Sequence, residues 1–167
     1  MSLVGQLIDD CYRVDRRIGV GSYGVVYACT DLPLRREVAI KMITPGPTTP
    51  IELERFATEA ENLAKLNHPN VVPIFRLGRH QGAPYLVMEL VRGTTLRRLL
   101  EARSLPLRQV VRIMSQVASG LAAIHERGIL HRDISPSNIM VTTQGVANGH
   151  AWGLAGVKIG PRSSDAT

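Results

Sequence analysis

The sequence predicts an α+β fold, in which a five-stranded antiparallel sheet with one helix precedes a helical region. Two observations support this prediction. In the first half of the chain, short runs rich in β-branched and aromatic residues alternate with Gly and Pro turn signals. After Gly93 the apolar residues recur every three or four positions, which is the period of an amphipathic helix.

The predicted strands form a meander of three, followed later by a pair. A glycine-rich bend and a turn at Pro33 separate the first three strands. A turn over 81–84 separates the last two. The strands are expected at 12–18, 25–30, 37–43, 71–77 and 85–90.

One helix is predicted between the third and fourth strands. Thr49 suits the N-cap and Pro50 the first helical position, and Glu52 follows the cap by three residues, which completes a capping box. The helix is expected to end near Leu66, because the His-Pro-Asn run at 68–70 stops it.

Two further helices are predicted in the second half. A short one holds Leu96, Leu99 and Leu100, and a longer one begins at Pro106 and ends near Glu126. From Thr142 onward the sequence is small and polar, and its last eight residues are predicted to be unstructured.

Composition indicates a globular protein, since the chain has 167 residues and is 44% hydrophobic. It contains no apolar run of about 18 residues and no signal-peptide pattern, so no membrane segment is predicted and the cytoplasm is the expected location. Cys11 and Cys29 lack metal-ligand spacing, which favours a reducing compartment.

The net charge of +6 comes mainly from arginine, because the only lysines are Lys41, Lys65 and Lys158. Six arginines lie between 92 and 112. Such a cluster can bind nucleic acid or an acidic partner, or it can be a solvated face. Aromatic residues are 4% of the chain and do not interleave with these arginines, so the solvated face is favoured and no nucleic acid partner is predicted.

Three glycines, Gly19, Gly21 and Gly24, follow Ile18 with the spacing Gly-x-Gly-x-x-Gly. In a dinucleotide-binding fold this motif opens a helix, whereas here Val-Val-Tyr at 25–27 continues as a strand. Two strands joined by such a loop can cover a polyphosphate with their backbone N–H groups. A flexible hairpin is an equally good interpretation.

Lys41 ends the apolar strand Val-Ala-Ile-Lys. It is either an exposed strand end or a fixed point charge for phosphates, and the second role needs a carboxylate partner. Glu59, on the helix that follows, can supply that carboxylate, or it can be one acid of a solvated face.

The run His-Arg-Asp-Ile-Ser-Pro-Ser-Asn at 131–138 places a carboxylate and a carboxamide five residues apart, between a helix and a short apolar strand. Asp133 can accept the proton of an attacking hydroxyl. Asn138 can ligate a metal ion. Both roles belong to phosphoryl transfer.

Taken in order, these motifs resemble the protein kinase family, of the serine/threonine type found in bacteria. The matching runs are IGVGSYGVV, VAIK, the helix that carries Glu59 and ends in LNHPNVV, YLVMELVRG and HRDISPSN. The resemblance implies a protein kinase-like α+β fold. Its parts would be an N-terminal extension at 1–11, an N-lobe at 12–88, a hinge at 89–93, a partial C-lobe at 94–159 and a disordered tail at 160–167.

The resemblance also implies a role for each matching residue. Lys41 would hold the phosphates of ATP, with Glu59 as its partner. Asp133 would be the catalytic base, and Asn138 would ligate magnesium. The other cofactor-binding positions would be Ile18, Gly19, Gly21, Gly24, Val26, Ala39, the backbone of Glu89 and Val91, and Met88 as gatekeeper, a position that an ordinary core methionine fits equally.

Two departures from the family pattern argue against activity. Ser135 stands where these kinases carry a lysine that reaches the transferring phosphate. The Asp-Phe-Gly motif aligns with Ala-Trp-Gly at 151–153 or, if 157–159 is the strand before it, with Gly-Pro-Arg at 160–162. Neither alignment supplies the carboxylate that holds magnesium, so magnesium binding is doubtful and the isolated chain is expected to be inactive.

Three functions therefore stay open. The chain can be part of an ATP-dependent kinase that transfers the γ-phosphate to Ser or Thr of a protein substrate. It can be a catalytically impaired, pseudokinase-like module with a regulatory protein partner, or a decayed remnant. The later helices of the family have no counterpart in the sequence, so Ile113, Val117 and Leu121 of the long helix are expected to lack their usual cover.

Overall fold

The structure, a computed structural model, describes residues 3–21, 24–44, 49–103, 105–129, 134–142 and 157–159. The chain divides into two compact units. Unit 1 contains Met1–Lys65 and Pro73–Leu90, and unit 2 contains Leu66–Val72 and Val91–Thr167.

Unit 1 is built on a six-stranded antiparallel sheet. Its strands are β1 (Leu7–Ile8), β2 (Tyr12–Gly21), β3 (Gly24–Asp31), β4 (Arg36–Ile43), β5 (Ile74–His80) and β6 (Ala83–Glu89). They lie in the order β1-β2-β3-β4-β6-β5. The five predicted strands are confirmed, and the two-residue β1 is a sixth that the sequence analysis missed, since Leu7 and Ile8 pair with Arg13 and Tyr12.

The helix of unit 1, α1 (Pro50–Ala64), begins with the predicted capping box. The backbone N–H of Glu52 donates to the Thr49 hydroxyl at 3.2 Å, and the Thr49 N–H donates to the Glu52 carboxylate at 3.0 Å. The two bonds satisfy N–H groups that a helix start would otherwise leave unpaired, which fixes where α1 begins. Ala60 and Leu63 form its buried side.

The residues before β2 are attached to the far strands of the same sheet. Tyr85 on β6 is fully buried, and its hydroxyl donates to the carboxylate of Asp9. Arg76 on β5 lies 3.5 Å from the same carboxylate. Because a buried phenol needs a hydrogen-bond partner, Asp9 makes the N-terminal segment part of the folded unit.

Unit 2 combines a small sheet with two helices. Its elements are β7 (Gly93–Thr95), α2 (Leu96–Glu101), α3 (Leu107–His125), a 3₁₀ turn at Pro136–Asn138, β8 (Ile139–Thr142) and β9 (Val157–Ile159). The sheet order is β7-β8-β9, antiparallel between β7 and β8 and parallel between β8 and β9. Both predicted helices are confirmed.

The apolar stripe of α3 is covered within unit 2, so the expectation that it lacks cover is wrong for two of its three residues. Ile113 and Val117 are 6% and 2% exposed, and they pack with Leu96 of α2 and Ile139 of β8, while Leu121 is half-buried at the edge of this cluster. The sequence-based expectation failed because α2 and β8 supply apolar partners from within the chain.

The segment 66–72, between α1 and β5, is held against α3. The Asn70 side-chain amide donates to the Gln116 side-chain oxygen at 3.3 Å, and both residues are buried. His68 lies 3.3 Å from the hydroxyl of Ser119, one helical turn further along α3. These polar contacts explain why the segment belongs to unit 2 although its neighbours on both sides belong to unit 1.

None of the helices in the described ranges has the length and apolar character needed to cross a membrane.

Candidate nucleotide site

The glycine motif lies on a hairpin between two antiparallel strands. Gly21 at the end of β2 pairs with Gly24 at the start of β3, and β3 continues without a helix. This geometry rules out the strand-to-helix turn of a dinucleotide-binding fold. Ile18 lies at a register shift of β2, and Gly19 pairs with Val26.

Gly24 is required by its backbone conformation and by its surroundings. Its φ angle is +132°, which side-chain-bearing residues rarely adopt. A Cβ atom there would overlap the carbonyl oxygen of Met42 on β4. The glycine therefore lets β3 approach β4 at the loop end of the hairpin.

One face of β3, β4 and β6 brings together most of the predicted nucleotide-binding side chains. Cross-strand pairs place Lys41 opposite Val26 on β3 and opposite Leu86 on β6. Ala39 lies opposite Met88 in the same way. Since directly paired residues point to the same side of a sheet, these side chains share one face. We call it the site face; its members are Val26, Ala28, Ala39, Lys41, Leu86 and Met88.

The opposite face of the same strands, the core face, packs into the main apolar cluster of unit 1. Its residues on these strands are Tyr27, Cys29, Val38, Ile40, Met42, Tyr85 and Val87. Burial among them, reinforced by the negative charge of Asp15, raises the pKa of the Cys29 thiol to about 12. A thiol with this pKa stays protonated and unreactive at neutral pH.

Lys41 is 1% exposed, which excludes the interpretation of an exposed strand end. A buried ammonium group is unfavourable unless polar or charged groups surround it. Glu59 is half-buried on α1. The pairing of Lys41 with Glu59 stays a prediction.

The predicted adenine-edge residues fall in different units. Met88 and Glu89 end β6 in unit 1, and the Glu89 N–H donates to the Pro73 carbonyl at 3.1 Å. Val91 is buried in unit 2. Met88 is buried as well, which suits both a gatekeeper and a core methionine.

Of the two key residues in the 131–138 run, only Asn138 can be placed, because Asp133 lies outside the described residues. Asn138 is buried at the end of the 3₁₀ turn, and its N–H donates to the Ser135 carbonyl at 2.9 Å. Pro136 suits the first position of this turn, since its ring fixes the backbone φ angle. The turn leads directly into β8, as the short apolar run in the sequence predicts.

The strand β9 bears on the position of the missing Asp-Phe-Gly aspartate. Val157–Ile159 forms a strand beside β8, which favours the alignment that uses this strand and continues into Gly-Pro-Arg at 160–162. The residues compared with the motif, 151–153 and 160–162, lie outside the described ranges. Among the residues that the structure describes, no group of three or more His, Cys, Asp or Glu residues is arranged to hold a metal ion.

Arg97 and Glu101 of α2 were not singled out as site residues from the sequence. The Nε of Arg97 on α2 donates to the Ser137 hydroxyl at 2.6 Å. The same guanidinium lies 3.9 Å from Glu101, one helical turn further. The sequence shows Arg97 only as one of six clustered arginines, and the contact spans forty residues, so no local pattern could reveal it.

Comparison with known proteins relates these motifs to one family. The family model described as protein kinase domain matches residues 12–161. The chain is 38% identical over 156 residues to serine/threonine-protein kinase PrkC of Bacillus subtilis, covering 92% of the chain and 24% of PrkC. It is 38% identical over 145 residues to serine/threonine-protein kinase PknL of Mycobacterium tuberculosis, covering 86% of the chain and 36% of PknL.

Solved structures give the same result. The PknI kinase domain of Mycobacterium tuberculosis matches with a TM-score of 0.75 and 28% identity, over 86% of this chain and 59% of that one. A double mutant of the same domain matches with a TM-score of 0.79 and 26% identity, over 94% of this chain and 62% of that one. The chain thus spans 24% to 36% of the length of the two curated relatives above.

Proposed function

Because this chain belongs to the protein kinase domain family, we propose that it binds ATP on the site face and transfers the γ-phosphate poorly or not at all. The proposal combines the nucleotide-binding half of a serine/threonine kinase with a pseudokinase-like deficit in the metal site. A protein partner, as substrate or as regulatory target, belongs to the same proposal.

One observation carries the nucleotide part: Lys41 is almost fully buried on a face that otherwise bears small and apolar side chains. An adenine ring is flat and apolar, and the polyphosphate beside it is strongly anionic. A surface that joins Val26, Ala39 and Met88 to one ammonium group offers complementary chemistry to both parts. The glycine hairpin adds backbone N–H groups without obstructing side chains.

The chemistry of the residues fits ATP but does not fit magnesium. Magnesium needs rigidly placed oxygen ligands and usually takes one or two carboxylates. Asn138 is the magnesium ligand that the family resemblance implies, and neither alignment of the Asp-Phe-Gly motif contains a carboxylate. Phosphoryl transfer depends on positioning and on charge neutralisation, so this lack supports weak or absent transfer.

Thermal unfolding with and without ATP tests the nucleotide part. At a tenfold excess of ATP over its Kd, binding should raise the Tm by about 3 °C or more. Lys41→Ala should lose this rise, whereas the control Lys65→Ala, at an exposed site in the same unit, should keep it. Because Lys41 is buried, the Tm without ATP must be measured for each variant to show that it is folded.

A second variant keeps the test decisive if Lys41→Ala fails to fold. Ala39→Leu adds bulk to the site face without removing charge, and it should abolish the ATP-dependent rise. If millimolar ATP does not raise the Tm of the unmodified chain, the nucleotide proposal is wrong and the decayed remnant is favoured.

Transfer itself can be measured with ATP labelled at the γ-phosphate and a generic Ser/Thr protein acceptor. We expect the chain to give no more label transfer than Lys41→Ala. Robust transfer that depends on Lys41 would overturn the metal-site part of the proposal and would favour the active kinase.

A further inference from the structure

We infer that Arg97, held by Ser137, forms a subsite for an anionic side chain of a protein or peptide that presents its Ser or Thr to the 131–138 run. The anion can be a carboxylate or the phosphate of an already modified residue, since both offer two oxygens to a guanidinium. The inference rests on the proposed function in taking that run as the place where an acceptor hydroxyl binds.

The guanidinium of Arg97 is held in a defined orientation. Arg97 Nε donates to the Ser137 hydroxyl at 2.6 Å, so one edge of the planar group is fixed against the 3₁₀ turn. The side chain is nevertheless 59% exposed. A fixed guanidinium loses less conformational freedom on binding than a freely rotating one, and its remaining N–H donors match the geometry of a carboxylate or phosphate.

The sequence around Arg97 has an excess of positive charge. Residues 91–112 contain six arginines and a single acid, Glu101. Glu101 is the one carboxylate near Arg97 among the described residues, at 3.9 Å, and it is itself 65% exposed. An exposed pair at this distance is weak and is easily replaced by a better anion.

Ser137, which holds Arg97, lies close in the chain to Asp133, the predicted catalytic base. Ser137 follows Asp133 by four positions in the chain, so their Cα atoms lie within about 14 Å of each other whatever the conformation between them. An extended peptide advances about 3.3 Å per residue. A side chain within about five positions of the acceptor Ser or Thr can therefore reach Arg97.

Peptide binding measured by fluorescence anisotropy tests the inference on the full chain. The probes are labelled peptides of about eleven residues with a central Ser, in which one Glu is moved through all other positions of a neutral background. At low ionic strength, one position or two neighbouring positions should bind about tenfold more tightly than the neutral peptide. A phosphoserine peptide with the anion at the same position separates the two sources of negative charge.

Variants identify the residue responsible. Arg97→Gln keeps a donor for Ser137 but removes the charge, and it should reduce binding of the anionic peptides to the level of the neutral one. Arg108→Gln changes another exposed arginine, at the start of α3, and should keep the preference. Ser137→Ala should weaken the preference only in part, because the charge remains while its orientation is lost.

Equal binding of the anionic and neutral peptides overturns the inference, as does the absence of binding by any peptide. A preference for the anionic peptide that survives Arg97→Gln, or that disappears equally with Arg108→Gln, also overturns it. The ATP-dependent Tm of the same unmodified sample separates the two proposals. A Tm rise without a peptide preference refutes the subsite alone, and an Arg97-dependent preference without a Tm rise refutes nucleotide binding alone.

Discussion

The two faces of β3, β4 and β6 are both buried, yet they carry different kinds of side chain. The core face has two tyrosines, an isoleucine and a methionine. The site face has two alanines and a buried lysine, Lys41. Low exposure therefore does not by itself identify a core, because a buried face with small side chains and a cation has the chemistry to bind a ligand.

The largest expected effect of a mutation comes from the core face. Ile40 has no exposed surface, so Ile40→Ala should lower the free energy of unfolding by about 2–5 kcal/mol through lost burial and a cavity. The control Ile51→Ala removes the same atoms at a site that is 64% exposed, and it should change stability by no more than about 0.5 kcal/mol. Urea denaturation measures both, and equal effects would contradict the assignment of the core face.

The next largest effect concerns the hairpin that borders the site face. Gly24→Ala places a methyl group against the Met42 carbonyl in a backbone region that is nearly exclusive to glycine, and it should cost about 3 kcal/mol. Gly82→Ala is the matched control, since Gly82 also has a positive φ of +83° but no atom within 4 Å of the added Cβ. It should cost only about 1 kcal/mol, and a cost as large as that of Gly24→Ala would refute the crowding at Gly24.

A smaller effect should appear at alkaline pH and should come in part from two residues of the core face, Cys29 and Tyr85. Burial raises the pKa of Cys29 from 9.0 to about 12. Burial and the Asp9 hydrogen bond raise the pKa of Tyr85 above its usual value of 10.0. The neutral thiol and phenol stabilise the folded state, and this contribution to the free energy of unfolding is fully present below about pH 9. It is lost as the pH rises toward about 12, because the unfolded chain loses these protons first.

The alkaline loss should become shallower in Cys29→Ala and should stay unchanged in the control Cys11→Ala, whose thiol is only half-buried. Urea denaturation at several pH values between 8 and about 11 measures the slope. A slope that is the same in all three proteins would show that Cys29 does not titrate as its burial requires.

Local patterns in the sequence predicted much of the fold. The capping box at Thr49, the five main strands and the hairpin at Gly21 and Gly24 each depend on residues close together in the chain. The family resemblance supplied the candidate site residues, and the structure places Val26, Ala39, Lys41 and Met88 on one face.

Contacts between distant residues could not be predicted in the same way. The bond from Tyr85 to Asp9, which attaches the N-terminal segment, spans 76 residues, and the bond from Arg97 to Ser137 spans 40. Alternation along β4 does not reveal which face is the core either, because both faces of Val-Ala-Ile-Lys-Met are buried. The difference emerges only when β3 and β6 are paired with β4.

The most direct test is an NMR titration of the chain, with labelled Ala, Val, Ile and Met methyl groups, against ATP. We predict that the methyl resonances of Val26, Ala39 and Met88 shift together and saturate, while those of Val38, Ile40 and Val87 stay in place. Shifts confined to the core face, or no shift on either face at millimolar ATP, would contradict it.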